Sequence, residues 1–197
     1  MPSPFRKLLH FAVIAHLALL DASADDGKQD ASEPRAVEMQ SRFSVEWDAN
    51  ALARAFGVGV SDVEDYLTDG RHASFMLERR LRSLHSGWTL LPTGGGGHDL
   101  LDPDGGQWEV RSVTDGGVHF SPSSQVGSGR DFEERGFRAK VEGLRGYILC
   151  DITVFPRVDV HLVPVEQVEA WHAAGDLGPN ARISRRKFLA LAEGMPD

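Results

Sequence analysis

Apolar positions recur along this chain with two different periods, and the switches between them outline its elements. In SFMLERRLRSLHSG (74 to 87), Leu77, Leu81 and Leu84 repeat at helical spacing, which predicts an amphipathic helix with Glu78 at the edge of its apolar face. HDLLDPDGGQWEVRS (98 to 112) reads instead as two short strands around a tight reversal. Pro103 suits the first bend position, Asp104 the second, and Gly105 the left-handed position that closes a three-residue loop with a bulge. If Asp102 pairs with Gly106, that loop sets Asp99 opposite Glu109 and Gly97 opposite Arg111. Because side chains alternate along a strand, Glu109 and Arg111 then share a face with Asp99, while Trp108 and Val110 turn the other way into apolar packing.

Downstream, VHF (118 to 120) is expected to form a third strand, DFEERGFRAKVEGLRG (131 to 146) a helix, GYILCDITVF (146 to 155) and VDVHLVPV (158 to 165) two more strands, and VEQVEAWHAAG (165 to 175) a helix. The order is α-β-β-β-α-β-β-α. Upstream, WDANALARAFGVGVSDVEDYL (47 to 67) has the outline of a helix-turn-helix. Leu52, Ala53 and Phe56 close its first helix, Gly57 makes the turn, and Ser61 with Glu64 forms a capping box for the second. That second helix would present Asp62, Glu64 and Asp65 to phosphates, which favours a structural helix pair over a DNA reader, with Tyr66 and Arg71 left as contacts.

Composition allows one core and a small appendage in 197 residues that are 41% hydrophobic. The single cysteine, Cys150, excludes an internal disulfide framework and sits in an apolar strand as a small hydrophobe. Net charge of −8 argues against a protein that coats nucleic acid nonspecifically. Basic residues cluster locally: Arg79, Arg80 and Arg82 beside Glu78, the segment from Arg130 to Arg145, and Arg185, Arg186 and Lys187 in ISRRKF, at a helix start after Ser184 where an anion is welcome. Residues 1 to 24 combine a positive start, an apolar run too short to span a bilayer, and an ASA site, which fits either an export signal or an amphipathic or dimer-forming helix. Residues 21 to 38 follow as a polar linker.

No Cys-x-x-Cys or His-Glu-x-x-His spacing supports zinc, TGGGG (93 to 97) lacks the lysine of a phosphate loop, and no Gly-x-Ser-x-Gly elbow supports a serine hydrolase. The glycine run either lets a DNA backbone come close to Asp99 or serves as a flexible connection. The hairpin offers hard oxygen donors, and magnesium is ordinarily held by one or two carboxylates plus substrate phosphate.

Asp99 on one strand followed by Glu109-Val110-Arg111 on the next resembles the PD-(D/E)xK nucleases, the restriction-endonuclease group, with Arg111 where that family usually carries lysine. The resemblance covers roughly residues 72 to 175 and extends to the element order, which is similar to the family's αβββαβ core with a mixed central sheet. It divides the chain into an N-terminal segment (1–38), a helical segment (39–71) and a restriction-endonuclease-like core with a C-terminal helix (72–197). It implies a cytoplasmic endonuclease that hydrolyses phosphodiester bonds in DNA with Mg2+ or Mn2+, of a restriction or defence type. Asp99 and Glu109 would hold the metal, Arg111 would neutralise charge on the phosphate, and Glu78 would stand behind them or hold a second metal. Gln125, Arg130, Arg185, Arg186 and Lys187 would touch nucleic acid, and a twofold homodimer would present two sites. Two other readings stand beside it: a catalytically silent member of the same fold that only binds, and an exported interaction protein whose hairpin acids are solvation.

Overall fold

The computed structural model describes residues 40–92, 98–126, 129 and 131–195. The segment 1–38, the glycine run 93–97, Arg130 and the side chain of Arg71 lie outside the described residues. Six strands form one mixed sheet. In spatial order they are β1 (Arg42–Glu46), β7 (Arg157–Pro164), β6 (Gly146–Asp151), β4 (Gln107–Val113), β3 (Leu100–Leu101) and β2 (Thr89–Leu90). β4 and β6 are parallel, and the other neighbours are antiparallel.

The central strand β6, GYILCD, is buried at every position. A near-continuous apolar run of this kind belongs to a strand covered on both faces. On one face α3 (Gly70–Leu84) lays Ala73, Leu77 and Leu81 against Trp108, Val110, Ile148 and Cys150. On the other, α4 (Glu134–Glu142), α5 (Val165–Ala173) and α6 (Arg185–Glu193) bring Phe137, Val168, Trp171 and Phe188 to Tyr147, Leu149 and Val163. Fully burying one such side chain is worth about 1.5–3 kcal/mol, so the two cores fix the sheet between them. α1 (Ala49–Phe56) and α2 (Val60–Thr68) pack beside α3 through Ala53, Val63, Leu67 and Met76. The protein is thus mixed α/β, and among the described residues no helix is long and apolar enough to cross a membrane.

The hairpin has the register that its turn residues predict. Leu100 faces Trp108, Leu101 faces Gln107, Asp102 N–H donates to the Gly106 carbonyl at 3.0 Å, and Gly105 takes φ 82°. Three other expectations are corrected. Val118–His119, β5, does not join the central sheet; it pairs with Arg182–Ile183, β8, in a separate two-stranded sheet. The reason is competition: β6 occupies the free edge of β4 from Trp108 to Val113, and the chain turns away at Thr114–Gly117. The third antiparallel strand of the meander is β2, upstream of the hairpin. Leu84 is not on the buried face of α3, because it lies in the last turn, 45% exposed, beyond the sheet edge that receives Leu77 and Leu81. The cap of α2 lies two residues earlier than expected, with the Asp62 carboxylate accepting from Gly59 N–H at 2.8 Å. β1, whose Phe43 and Val45 alternate with polar neighbours, had no counterpart among the expected strands; it pairs with β7 along its whole length.

Candidate active site

The two acids nearest the turn and the acid further along β4 have different fates. Asp102 is 8% exposed and turned back on its own loop. Oδ1 accepts from the backbone of Asp104 and Gly106 at 3.0 and 2.8 Å; Oδ2 accepts from Trp108 Nε1 at 2.8 Å and pairs with Arg145 Nη1 at 2.6 Å. Burial alone would push its pKa up, yet the bonds from Trp108 and Gly106, the Arg145 charge and the Asp104 bond together hold it below the usual value. This carboxylate is structural.

Glu109 points to the opposite face from Trp108, as alternation requires, and is 5% exposed. Oε1 pairs with Arg111 Nη2 at 2.8 Å and Oε2 with Lys140 Nζ at 2.6 Å. Even so, burial and the neighbouring Asp99 charge push its pKa up against the two cations. Asp99 stands just before β3, with Oδ2 accepting from Val110 N–H at 2.8 Å. Glu78, on the flank of α3, is pushed up to about 7 by burial, by Asp99 and by Glu109, with Arg79 opposing. Three carboxylates from three elements therefore feel one another's charge. Arg111 also donates to the Ser121 carbonyl and to Ser123 Oγ, both at 3.2 Å, which ties β4 to the loop beyond β5.

Lys140 is the residue that the sequence reading missed. It lies on α4 three residues after Phe137 and one before Val141, both buried, so it borders the apolar stripe that faces the sheet. A lysine at that border in EERGFRAKVEG is the available signal, and it is visible only once α4 is known to cross β4. His98 belongs to the same neighbourhood: burial and Lys140 press its pKa down while Asp99 raises it. Its Nδ1 and Arg111 Nε are buried and find no hydrogen-bond partner among the described residues.

Of the residues expected to touch nucleic acid, Gln125, Arg185 and Lys187 already have protein partners. Gln125 lies in a single 3-10 turn, Ser123–Gln125, where its Oε1 accepts from Glu133 N–H at 3.2 Å and its amide fills the space left by Gly136. Arg185 is bound to Asp151 at 2.8 Å, and Lys187 to Asp176 at 2.9 Å, while Arg186 is exposed. Asp151 pairs with Val113, four residues beyond Glu109 on the same ladder, roughly 13 Å along the strands. The α6 cations are therefore held apart from the acid group.

As a metal site, the donors are of the right type, since two carboxylates with a phosphate suffice for magnesium. Among the described residues no group of three or more His, Cys, Asp or Glu side chains is placed to hold a metal ion. No protein-family model matches the chain, and no curated protein or solved structure is similar to it.

Proposed function

We propose that this chain is a metal-dependent DNA endonuclease built on a restriction-endonuclease-like core. The observation that carries the proposal is Glu109: a buried carboxylate, coupled to Asp99 and Glu78, with Arg111 and Lys140 on its two oxygens. With β5 and a 3-10 turn set aside between β4 and α4, the order α3, β2, β3, β4, α4, β6, an antiparallel meander followed by a crossover to a parallel strand, supports the same reading.

In this reading Asp99 and Glu109 would hold magnesium or manganese, which would supply activation of water and screening of the phosphate charge. Lys140 Nζ, already fixed at 2.6 Å from Glu109, orients the attacking water and carries part of the charge. Arg111 stays protonated throughout and neutralises the negative charge that builds on the phosphoryl oxygens as the 3′-oxygen leaves. It supplies the cation of the Glu-x-Lys pattern, and Lys140 supplies the amine. Glu78 stands behind the pair. The enzyme acts in the cytoplasm as a twofold homodimer.

A catalytically silent binder of the same fold has one observation in its favour: both Glu109 oxygens and one Asp99 oxygen already have protein partners. The experiment is incubation of the purified protein with plasmid and single-stranded DNA in Mg2+, Mn2+ or chelator, beside Glu109→Gln. Cutting that needs the metal and disappears in the variant is expected for the enzyme. DNA binding with no cutting in any metal selects the silent fold.

A further inference from the structure

We propose that the solvent face of α3, together with Tyr66 of α2, is a stacking track for unpaired nucleic-acid bases, so that the substrate is a single strand or a locally melted segment. This deepens, and rests on, the nuclease reading. His72, Phe75, Arg79 and Arg82 follow one another at three- and four-residue spacing and therefore lie along one side of the helix. Phe75 is 52% exposed in the middle of α3, where a charged residue would be the ordinary occupant. Arg79 lies over it with Cζ 3.3 Å from the ring centroid, held there by a bond from Nη1 to the Phe75 carbonyl at 3.0 Å. One turn before Phe75, His72 is stacked by Tyr66 of the neighbouring α2, 53% exposed, with centroids 4.5 Å apart and planes 3° from parallel. The surface thus offers flat rings and a flat cation in series. Bases stack on such groups whatever their identity, because every base has a π-face.

Charge decides between a single strand and a duplex. Over its last two turns α3 carries Arg79, Arg80 and Arg82 against one acid, Glu78, in a chain whose net charge is −8. α2, packed beside it, carries Asp62, Glu64 and Asp65. A duplex broad enough to lie across both helices would bring phosphates to those acids, whereas one strand following α3 meets the arginines. The one acid of that stretch, Glu78, pairs with Arg79 at 3.5 Å, so it adds little repulsion along the track.

The test is fluorescence anisotropy of the full chain with labelled oligo-dT, oligo-U and a duplex of equal length, in chelator and in Ca2+. The single strands are expected to bind more tightly than the duplex, with the dT and U arms separating DNA from RNA. Phe75→Ala weakens single-strand binding about 10-fold; Phe75→Trp restores it; Arg82→Ala lowers the slope of log affinity against log salt by about one phosphate contact. Circular dichroism establishes that these exposed variants are folded. A preference for duplex, or a single-strand affinity indifferent to Phe75→Ala, overturns the track. Binding is read without cleavage, so the two proposals fail separately. Phe75-dependent binding in a protein that cuts nothing keeps the track and removes the nuclease. Glu109-dependent cutting of duplex with no response at Phe75 does the reverse.

Discussion

Asp102 and Glu109 sit on one hairpin, both nearly inaccessible to water, and their surroundings treat their charge in opposite ways. Asp102 receives two backbone N–H bonds, an indole N–H and a guanidinium, and its pKa falls. Glu109 receives two cations, yet burial and the neighbouring Asp99 charge push its pKa up. A buried charge fully met by donors specifies structure, while one held beside other charges of its own sign stores a capacity to bind a cation. The turn end of the hairpin is therefore scaffold, and the other end is where the proposed chemistry would lie.

Separating the two ends is the sharpest way to break that contrast. Glu109→Gln keeps one oxygen acceptor but turns an amide N–H2 toward the other of its two cations, so it should cost some stability, while metal-dependent cleavage in a plasmid assay should fall by at least about 100-fold. Asp102→Ala should act on stability and leave the cleavage of folded molecules intact. It strands Trp108 Nε1 and two backbone donors and removes the nearer of the two carboxylates paired with Arg145, which should cost about 3 kcal/mol in a urea titration. Loss of cleavage in both variants alike would erase the distinction.

The pH dependence of stability should also divide along this line. Asp102 has a folded pKa below its ordinary 3.8, so its contribution is present above that value and is lost as pH falls through the lower folded one. Glu78 runs the other way: its folded form holds a proton between 4.5 and about 7 that the unfolded chain has released. Stability should accordingly decline as pH rises across that window, and Glu78→Gln should flatten the decline in thermal melts taken from pH 4.5 to 8. The smallest effect is expected for Arg111→Lys, with cleavage retained within about 10-fold. Complete loss there would give the guanidinium bonds to Ser121 and Ser123 a role beyond neutralising phosphate.

What the sequence discloses follows the range of the interactions. The hairpin register was legible because Pro103, Asp104 and Gly105 determine it within a few residues, and with it the shared face of Glu109 and Arg111. The amphipathic spacing of α3 and the solid apolar run of β6 were legible for the same reason. Lys140 was not, because only the crossing of α4 over β4 turns a border lysine into a partner of Glu109. Nor was the destination of Val118–His119, which depends on β6 claiming an edge of β4 almost thirty residues before that strand is reached in sequence. Ion pairing explains the remaining difference. Arg185 and Lys187 look available in ISRRKF, but Asp151 and Asp176, brought in from distant segments, take them up.

The two outer strands of the large sheet bear on self-association. β2 offers a neighbour only Thr89 and Leu90, too short a ladder to template another chain, and β1 sets Arg42, Ser44 and Glu46 alternately along its length, with Ser44 bound to Asp159 and Arg157. Sheet-to-sheet growth into filaments is thereby discouraged at both margins, and concentrated solutions of the folded chain should resist fibril formation.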